Sequence, residues 1–320
     1  MSAESSSQDR DRGAALLAVA DDLRPELHRY CARLMGSIID GEDVVQDTLV
    51  RAFAALQDMP HEQTPPLRPW LFRIAHNRAL DALRSRAIRK AEPFDDAAAS
   101  GIADPASPDP VEMLMRDEAI KTAVSRFAEL PVLQRSVVIL KDVLDESLID
   151  IAALLDLSVD AVKGHLARGR VRLREINLQA QASPIAQTQS PSVAMAHYIA
   201  LFNRRDWDGL RALLADDVKL NQSSYPIRVG RADVGMFFTI YARTDHVWLA
   251  PAWLEGREVI AVFENSAQAR TEDRADPKPS YMMWLEWRDD RISFIHDYRH
   301  VPYVVADAEL VLTSEIDSAY

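Results

Sequence analysis

Cysteine is almost absent from this chain. Cys31 is the single one among 320 residues, so no internal disulfide and no cysteine-rich zinc site can form. It is expected to be a buried apolar side chain in a reducing compartment. Long apolar runs are missing too: no uninterrupted stretch approaches membrane-spanning length. The N-terminus, Met1 to Arg12, is polar and lacks a signal-peptide core. The expectation is a soluble, cytoplasmic chain with no membrane partner. Positive charge is not in excess either. A net charge of −12 argues against a protein that coats DNA non-specifically, because phosphate binding needs clustered cations. Local basic patches remain possible.

What is present is enough apolar content for packed cores, 48% hydrophobic residues, on a chain long enough for two or three domains. From about Ala14 to Lys90 the pattern is helical, with its prolines gathered in one loop, Pro60 to Pro69. Residues 91–110 then carry Pro93, Pro105, Pro108 and Pro110 among Asp and Ala, which reads as an acidic flexible linker. A second helical block covers Val111 to about Ala180. A short linker, Ser183 to Ser192, holds Pro184 and Pro191. Beyond it come one helix and then strand-like runs at Val259–Glu264, Ser280–Arg288 and Arg291–Tyr298, with Asp289-Asp290 as a hairpin turn. The tail, 301–320, keeps Val304, Val305, Leu310, Val311 and Leu312. Such apolar content points either to docking against the preceding domains or to completion of the last fold.

In Glu42 to Gln57, the residues Val44, Val45, Leu49, Ala52, Phe53 and Leu56 recur at helical spacing and make one apolar face. Asp43, Asp47 and Arg51 fall four apart on another side, which taken alone fits a solvated face. The next helix, Leu67 to Lys90, has Pro69 in its first turn, where no amide partner is lost. Leu71, Ile74, Ala75 and Ala82 line its core side. Arg73, Asn77 and Arg84 converge on another face, and Arg86, Arg89 and Lys90 add a basic end. Arginine on such a face can reach phosphates, and asparagine base edges.

These two helices carry a resemblance. Asp43-Val44-Val45-Gln46-Asp47-Thr48-Leu49-Val50-Arg51-Ala52-Phe53, followed by Arg68-Pro69-Trp70-Leu71-Phe72-Arg73-Ile74-Ala75-His76-Asn77-Arg78-Ala79, resembles region 2 of extracytoplasmic-function sigma factors. The resemblance implies that the first helix, through Asp43, Gln46, Asp47 and Arg51, docks on core RNA polymerase. It also implies that the second helix and the loop before it melt the minus-10 promoter element, with Asn77 where a flipped base would approach. A flipped nucleotide needs polar edges and a pocket, which a loop over a helix can supply.

Leu148 to Glu175 reads as a helix-turn-helix. Ile151, Ala152, Leu154 and Leu155 build its first helix, Asp156-Leu157 the turn, and Ser158 caps the second helix. There Val162, Leu166, Gly169 and Leu173 form the inward stripe. Lys163, Gly164, Ala167 and Arg168 lie outward, where small residues let the backbone sit deep in a major groove. Arg170, Arg172 and Arg174 extend the positive surface. Leu130-Pro131-Val132-Leu133-Gln134-Arg135 through Arg174 resembles region 4 of the same family, which reads the minus-35 element. One departure is Asp156, at a position often held by glycine; aspartate tolerates left-handed geometry better than most residues.

His197-Tyr198-Ile199-Ala200-Leu201-Phe202-Asn203-Arg204-Arg205-Asp206-Trp207-Asp208-Gly209-Leu210 resembles the opening helix of SnoaL-like domains, over about 192–300. That fold is a curved sheet wrapped by helices, with a pocket in the cone. Trp248, Tyr281, Trp284 and His296 are candidate lining residues. A histidine near a carboxylate is a possible acid/base pair, but His296 and Asp297 are strand neighbours and point to opposite faces.

The expected fold is therefore multidomain: two all-α sigma domains (14–90 and 111–180), then an α+β SnoaL-like cone (192–300) and a tail. The expected function is promoter-specific initiation with core RNA polymerase and promoter DNA as partners, without catalytic residues, metal or cofactor. Control in cis by the SnoaL-like domain, with or without a small-molecule ligand, is part of that expectation. The alternative is a helix-turn-helix regulator with a sensing domain that acts without polymerase. A SnoaL-type enzyme fused to a DNA-binding module is a third reading.

Overall fold

Helix boundaries follow the capping residues. Ser37 is extended and its hydroxyl accepts the Asp40 N–H, opening helix α2 (Ile38–Asp58) directly behind α1 (Ser2–Met35). The computed structural model describes residues 2–60, 64–91, 123–181, 190–223, 225–244, 246–264, 278–306 and 308–313. The acidic linker expected after Ala91 lies outside these residues, as does most of the linker at 183–192. The chain divides into two compact units, one made by its described residues up to 181 and one by those from 190 on.

In the first unit α1, α2 and α3 (Leu67–Ala91) close on Leu27, Tyr30, Leu34, Val45, Leu71 and Phe72. The apolar stripe read in α2 is the buried one: Val44, Val45, Ala52 and Leu56 are all inside. A buried ion pair, Arg24 to Glu42 at 2.9 Å, ties α1 to α2. Then come α4 (Ala123–Arg126), a tight turn at Phe127–Glu129, and α5 (Val132–Val138), which widens into a π turn at Ile139–Val143. Helices α6 (Leu148–Leu155) and α7 (Val159–Gln181) complete the unit. Asp156 adopts φ 56° and ψ 51° between them, so the left-handed turn expected there is present without a glycine. Gly169 is needed at its position, because a Cβ there would lie 2.6 Å from Val138 Cγ2.

The second unit opens with α8 (Val193–Asn203), capped by Ser192, and α9 (Trp207–Ala212). A mixed sheet follows in the order β2-β1-β6-β5-β4-β3-β7. Its strands are β1 (Leu214–Asn221), β2 (Arg228–Val229), β3 (Val247–Leu254), β4 (Arg257–Glu264), β5 (Tyr281–Arg288), β6 (Arg291–Asp297) and β7 (Val311–Leu312). Helices α10 (Arg231–Gly235) and α11 (Phe237–Tyr241) lie between β2 and β3, and α12 (Tyr303–Ala306) precedes β7. The β5–β6 turn is Asp289-Asp290, both at positive φ, the geometry that suits a right-twisted hairpin. Tyr198, Phe202 and Phe237 from the helices meet Leu249, Val262, Met283 and Ile295 from the sheet. The described part of the tail belongs to this unit: β7 pairs with β3 and Val304 is fully buried.

Candidate nucleic-acid interface

On α3, Arg73, Asn77 and Arg84 are all exposed on the outer side, while Leu71, Phe72, Ala75 and His76 turn inward. The three do not share one environment. Arg84 pairs with Asp81 at 3.0 Å, and Arg73 donates to the Ala153 carbonyl of α6 at 2.6 Å. Asn77 stands on the wall of a cavity of about 310 Å³, with Arg51, Met59, Trp70, Arg78 and Asp81 around it. Arg78 is held by Asp47 of α2. That cross-helix pair spans a loop, so no local spacing announces it. Beneath Asn77, the His76 ring and the Tyr30 hydroxyl share a buried hydrogen bond of 2.7 Å. Burial pushes His76 down to about 4, so the ring is neutral near pH 7 and adds no charge behind the cavity.

The outer face of α2 carries Asp43, Asp47 and Arg51 exposed, with Gln46 half-buried beside them. Val50 lies in the same stripe and is 70% exposed. Sequence reasoning passed over Val50; its position off the apolar stripe of α2 was the available signal.

In the helix-turn-helix, the Ala161 N–H donates to Ser158 Oγ at 3.2 Å, which caps α7. Val162, Leu166 and Gly169 are buried, with Leu173 half-buried. Lys163, Ala167 and Arg168 are exposed and Gly164 half-exposed, as the stripe required. Arg170 differs from these. Its guanidinium forks onto the Asp142 carboxylate at 2.9 and 2.5 Å, which fixes α7 against the preceding turn.

The four candidate pocket residues of the second unit do not converge. Strand alternation puts Tyr281 on the helix-covered side with Met283, and Trp284 on the other. Trp284 stacks on His296 at 4.5 Å and His296 on Phe294 at 4.1 Å, with the Arg257 guanidinium 4.6 Å above Trp284. Trp248 stacks on Phe263 at 4.0 Å. Across the sheet, the Tyr281 and Tyr241 hydroxyls are 2.7 Å apart, and burial raises both phenols. Asp297 is on that side, bonded by Gln222 at 2.8 Å and pushed up to about 6 by burial. His296 pairs instead with Glu286 at 3.0 Å, and burial holds its ring below the usual imidazole range. The candidate acid and base are thus separated by the sheet.

Three stretches match family models: Sigma-70 region 2 over residues 19–89, Sigma-70 region 4 over 123–173, and a SnoaL-like domain over 195–295. The ECF RNA polymerase sigma factor SigG of Mycobacterium tuberculosis is 31% identical over 224 residues, 62% of this chain and 59% of SigG. The RNA polymerase sigma factor CnrH of Cupriavidus metallidurans is 35% identical over 138 residues, 42% of this chain and 71% of CnrH. The chain belongs to the extracytoplasmic-function sigma factor family.

Within this ECF sigma factor, region 2 ends with α3, region 4 runs from α4 into α7, and the SnoaL-like match starts in α8 and ends in β6. The match to SigG spans 59% of that relative's length. The crystal structure of Mycobacterium tuberculosis SigJ, also an extracytoplasmic-function sigma factor, aligns over 88% of this chain and 95% of its own, at 19% identity and a TM-score of 0.32. No helix among the described residues is long and apolar enough to cross a membrane.

Proposed function

We propose that this ECF sigma factor binds core RNA polymerase through the outer stripe of α2 and directs it to promoters in the cytoplasm. Asp43, Gln46, Asp47, Val50 and Arg51 form the polymerase contact. Asn77 and the cavity beside it hold a base flipped from the minus-10 element, and Arg84 steers the backbone. Lys163, Gly164, Ala167 and Arg168 enter the major groove at minus-35, with Arg170 positioning the helix. The observation that carries this reading is the Asn77 cavity. A mainly apolar recess walled by Trp70, with Asn77, Arg51 and Asp81 around it, beside an exposed contact helix suits strand capture, for which an operator-binding regulator has no use.

The SnoaL-like unit is a control element in cis with no reaction of its own. The separation of His296–Glu286 from Asp297–Tyr281 supports that assignment, because general acid–base work needs both groups around one substrate. If it takes a small-molecule ligand, the side of Tyr241, Tyr281 and Asp297 is where the polar groups gather.

Run-off transcription with core polymerase, beside gel shifts with and without it, tests the proposal. The chain is expected to bind promoter DNA weakly alone and specifically with core enzyme, since its net charge is −12. Tight, specific binding by the isolated chain would favour the regulator that acts without polymerase. Removing everything after Ala182 is expected to change transcription from the target promoter, and unchanged activity from the folded fragment would end the idea of control in cis.

A further inference from the structure

Helix α7 carries a carboxylate on the face assigned to DNA. The side chains of Asp160 and Lys163 are 91% and 60% exposed, and Lys163 Nζ stands 3.2 Å from Asp160 Oδ1. Capping does not account for the aspartate, because the Ala161 N–H already donates to Ser158 Oγ. At about 100° per residue, Asp160, Gly164 and Ala167 fall in one stripe, and each is exposed or half-exposed. Arg168 completes the group. A Cβ on Gly164 would lie 3.3 Å from Arg168 Nη1 and 3.6 Å from its Nη2. The guanidinium is therefore laid back along the helix over Gly164, in the direction long helical side chains lean. A carboxylate, an ammonium and a guanidinium thus gather around a residue that has no side chain.

We infer that Asp160 is a specificity-determining residue of the helix-turn-helix, accepting a hydrogen bond from a cytosine N4 amino group in the minus-35 element beside a guanine taken by Arg168. The inference rests on the promoter-directing reading. A carboxylate brought up to duplex DNA is repelled by the phosphates unless its charge is offset and it meets a donor. Lys163 offsets the charge. The base edges decide the donor. In the major groove guanine shows two acceptors, thymine an acceptor and a methyl group, and adenine an acceptor beside its amino group, whereas cytosine shows the N4 amino group alone. Cytosine is the base that meets a carboxylate with no opposing lone pair of its own. The guanidinium over Gly164 has the complementary preference, a fixed fork of donors for guanine O6 and N7. Four residues of helix, about 6 Å, separate Asp160 from the seat of Arg168, against about 3.4 Å between base pairs. The two side chains therefore read different, neighbouring pairs.

The test selects duplexes from a library randomised across the promoter, using the full chain with core polymerase, and sequences what is bound. The wild type is expected to enrich a cytosine one or two steps from a guanine. Asp160→Ala, at this exposed site, should erase a cytosine preference of roughly tenfold. Affinity for the other three bases at that pair should hold or rise, since a negative charge has gone. Asp160→Asn should move the preference to adenine, whose N6 and N7 suit a carboxamide. Arg168→Ala should relax the guanine and leave the cytosine. An aspartate that only favours the helix dipole would lower the melting temperature when replaced and weaken binding to every sequence alike. That uniform loss overturns the inference, as do identical base preferences in the wild type and both Asp160 variants, and either result leaves the promoter-directing function standing. A wild type that selects no sequence with core polymerase overturns that function and the inference with it.

Discussion

Asn77 and Lys163 both stand exposed on helices, yet the proposed function gives them different steps. Asn77 edges a recess with Trp70 and Arg78, and on the function proposed above it meets a base that has already left the stack. Lys163 and Arg168 are exposed on α7, and on the same proposal they meet duplex DNA. Asn77→Ala is therefore expected to impair strand opening, read by permanganate reactivity, with closed-complex affinity little changed. Lys163→Ala with Arg168→Ala should weaken promoter binding from the start, each lost base contact costing roughly 1–3 kcal/mol. Normal binding and melting by both variants would remove these residues from the DNA interface. Arg73 and Arg170 show what residue type alone conceals: one is occupied by a carbonyl of α6 and the other by Asp142.

At the scale of the element, the turn before α7 is decided by one residue. Asp156 occupies the left-handed region, where a branched side chain clashes and glycine is at ease. Asp156→Gly should leave stability unchanged or raise it by up to about 1 kcal/mol, whereas Asp156→Val should cost about 1–2 kcal/mol. Denaturant titration of the full chain checks both, and a tolerated valine would mean that the turn is not held in this geometry. The tail is a second case. Its apolar residues were compatible with a latch on the sigma regions, but β7 extends the sheet beside β3 and Val304 is buried. Truncation after His300 should thus lower the melting temperature of the second unit, because burial of one valine side chain is worth roughly 1.5–3 kcal/mol. An unchanged melting profile would show that the tail adds nothing to the sheet.

For the whole molecule, the two units carry buried titratable groups with opposite linkage. Asp297 is raised from 3.8 to about 6 in the folded second unit, so that unit binds the proton better folded than unfolded. Its contribution to stability is full below pH 4 and is lost as the pH rises to 6, about 3 kcal/mol in all. His76 is lowered from 6.5 to about 4 in the first unit. Its contribution is present above pH 6.5 and is lost as the pH falls toward 4. Calorimetry of wild type against Asp297→Asn and His76→Gln should show these slopes vanish in opposite directions, and equal slopes in wild type and variant would contradict the assigned burial.

Helical periodicity, Ser158 as a cap and the Asp289-Asp290 turn were enough to define α2, α3, the helix-turn-helix and the last hairpin. They did so because each depends on contacts within a few residues. The faces of α2 and α7 were legible for the same reason, since a 100° step assigns inward and outward positions without knowledge of the neighbour. The pairing of β1 with β6 in parallel, the Arg78–Asp47 pair behind the Asn77 cavity and the split of the four aromatic and histidine candidates across the sheet were not. The ion pair joins residues 31 positions apart, and such partners become neighbours only when apolar surfaces choose which helix or strand to cover.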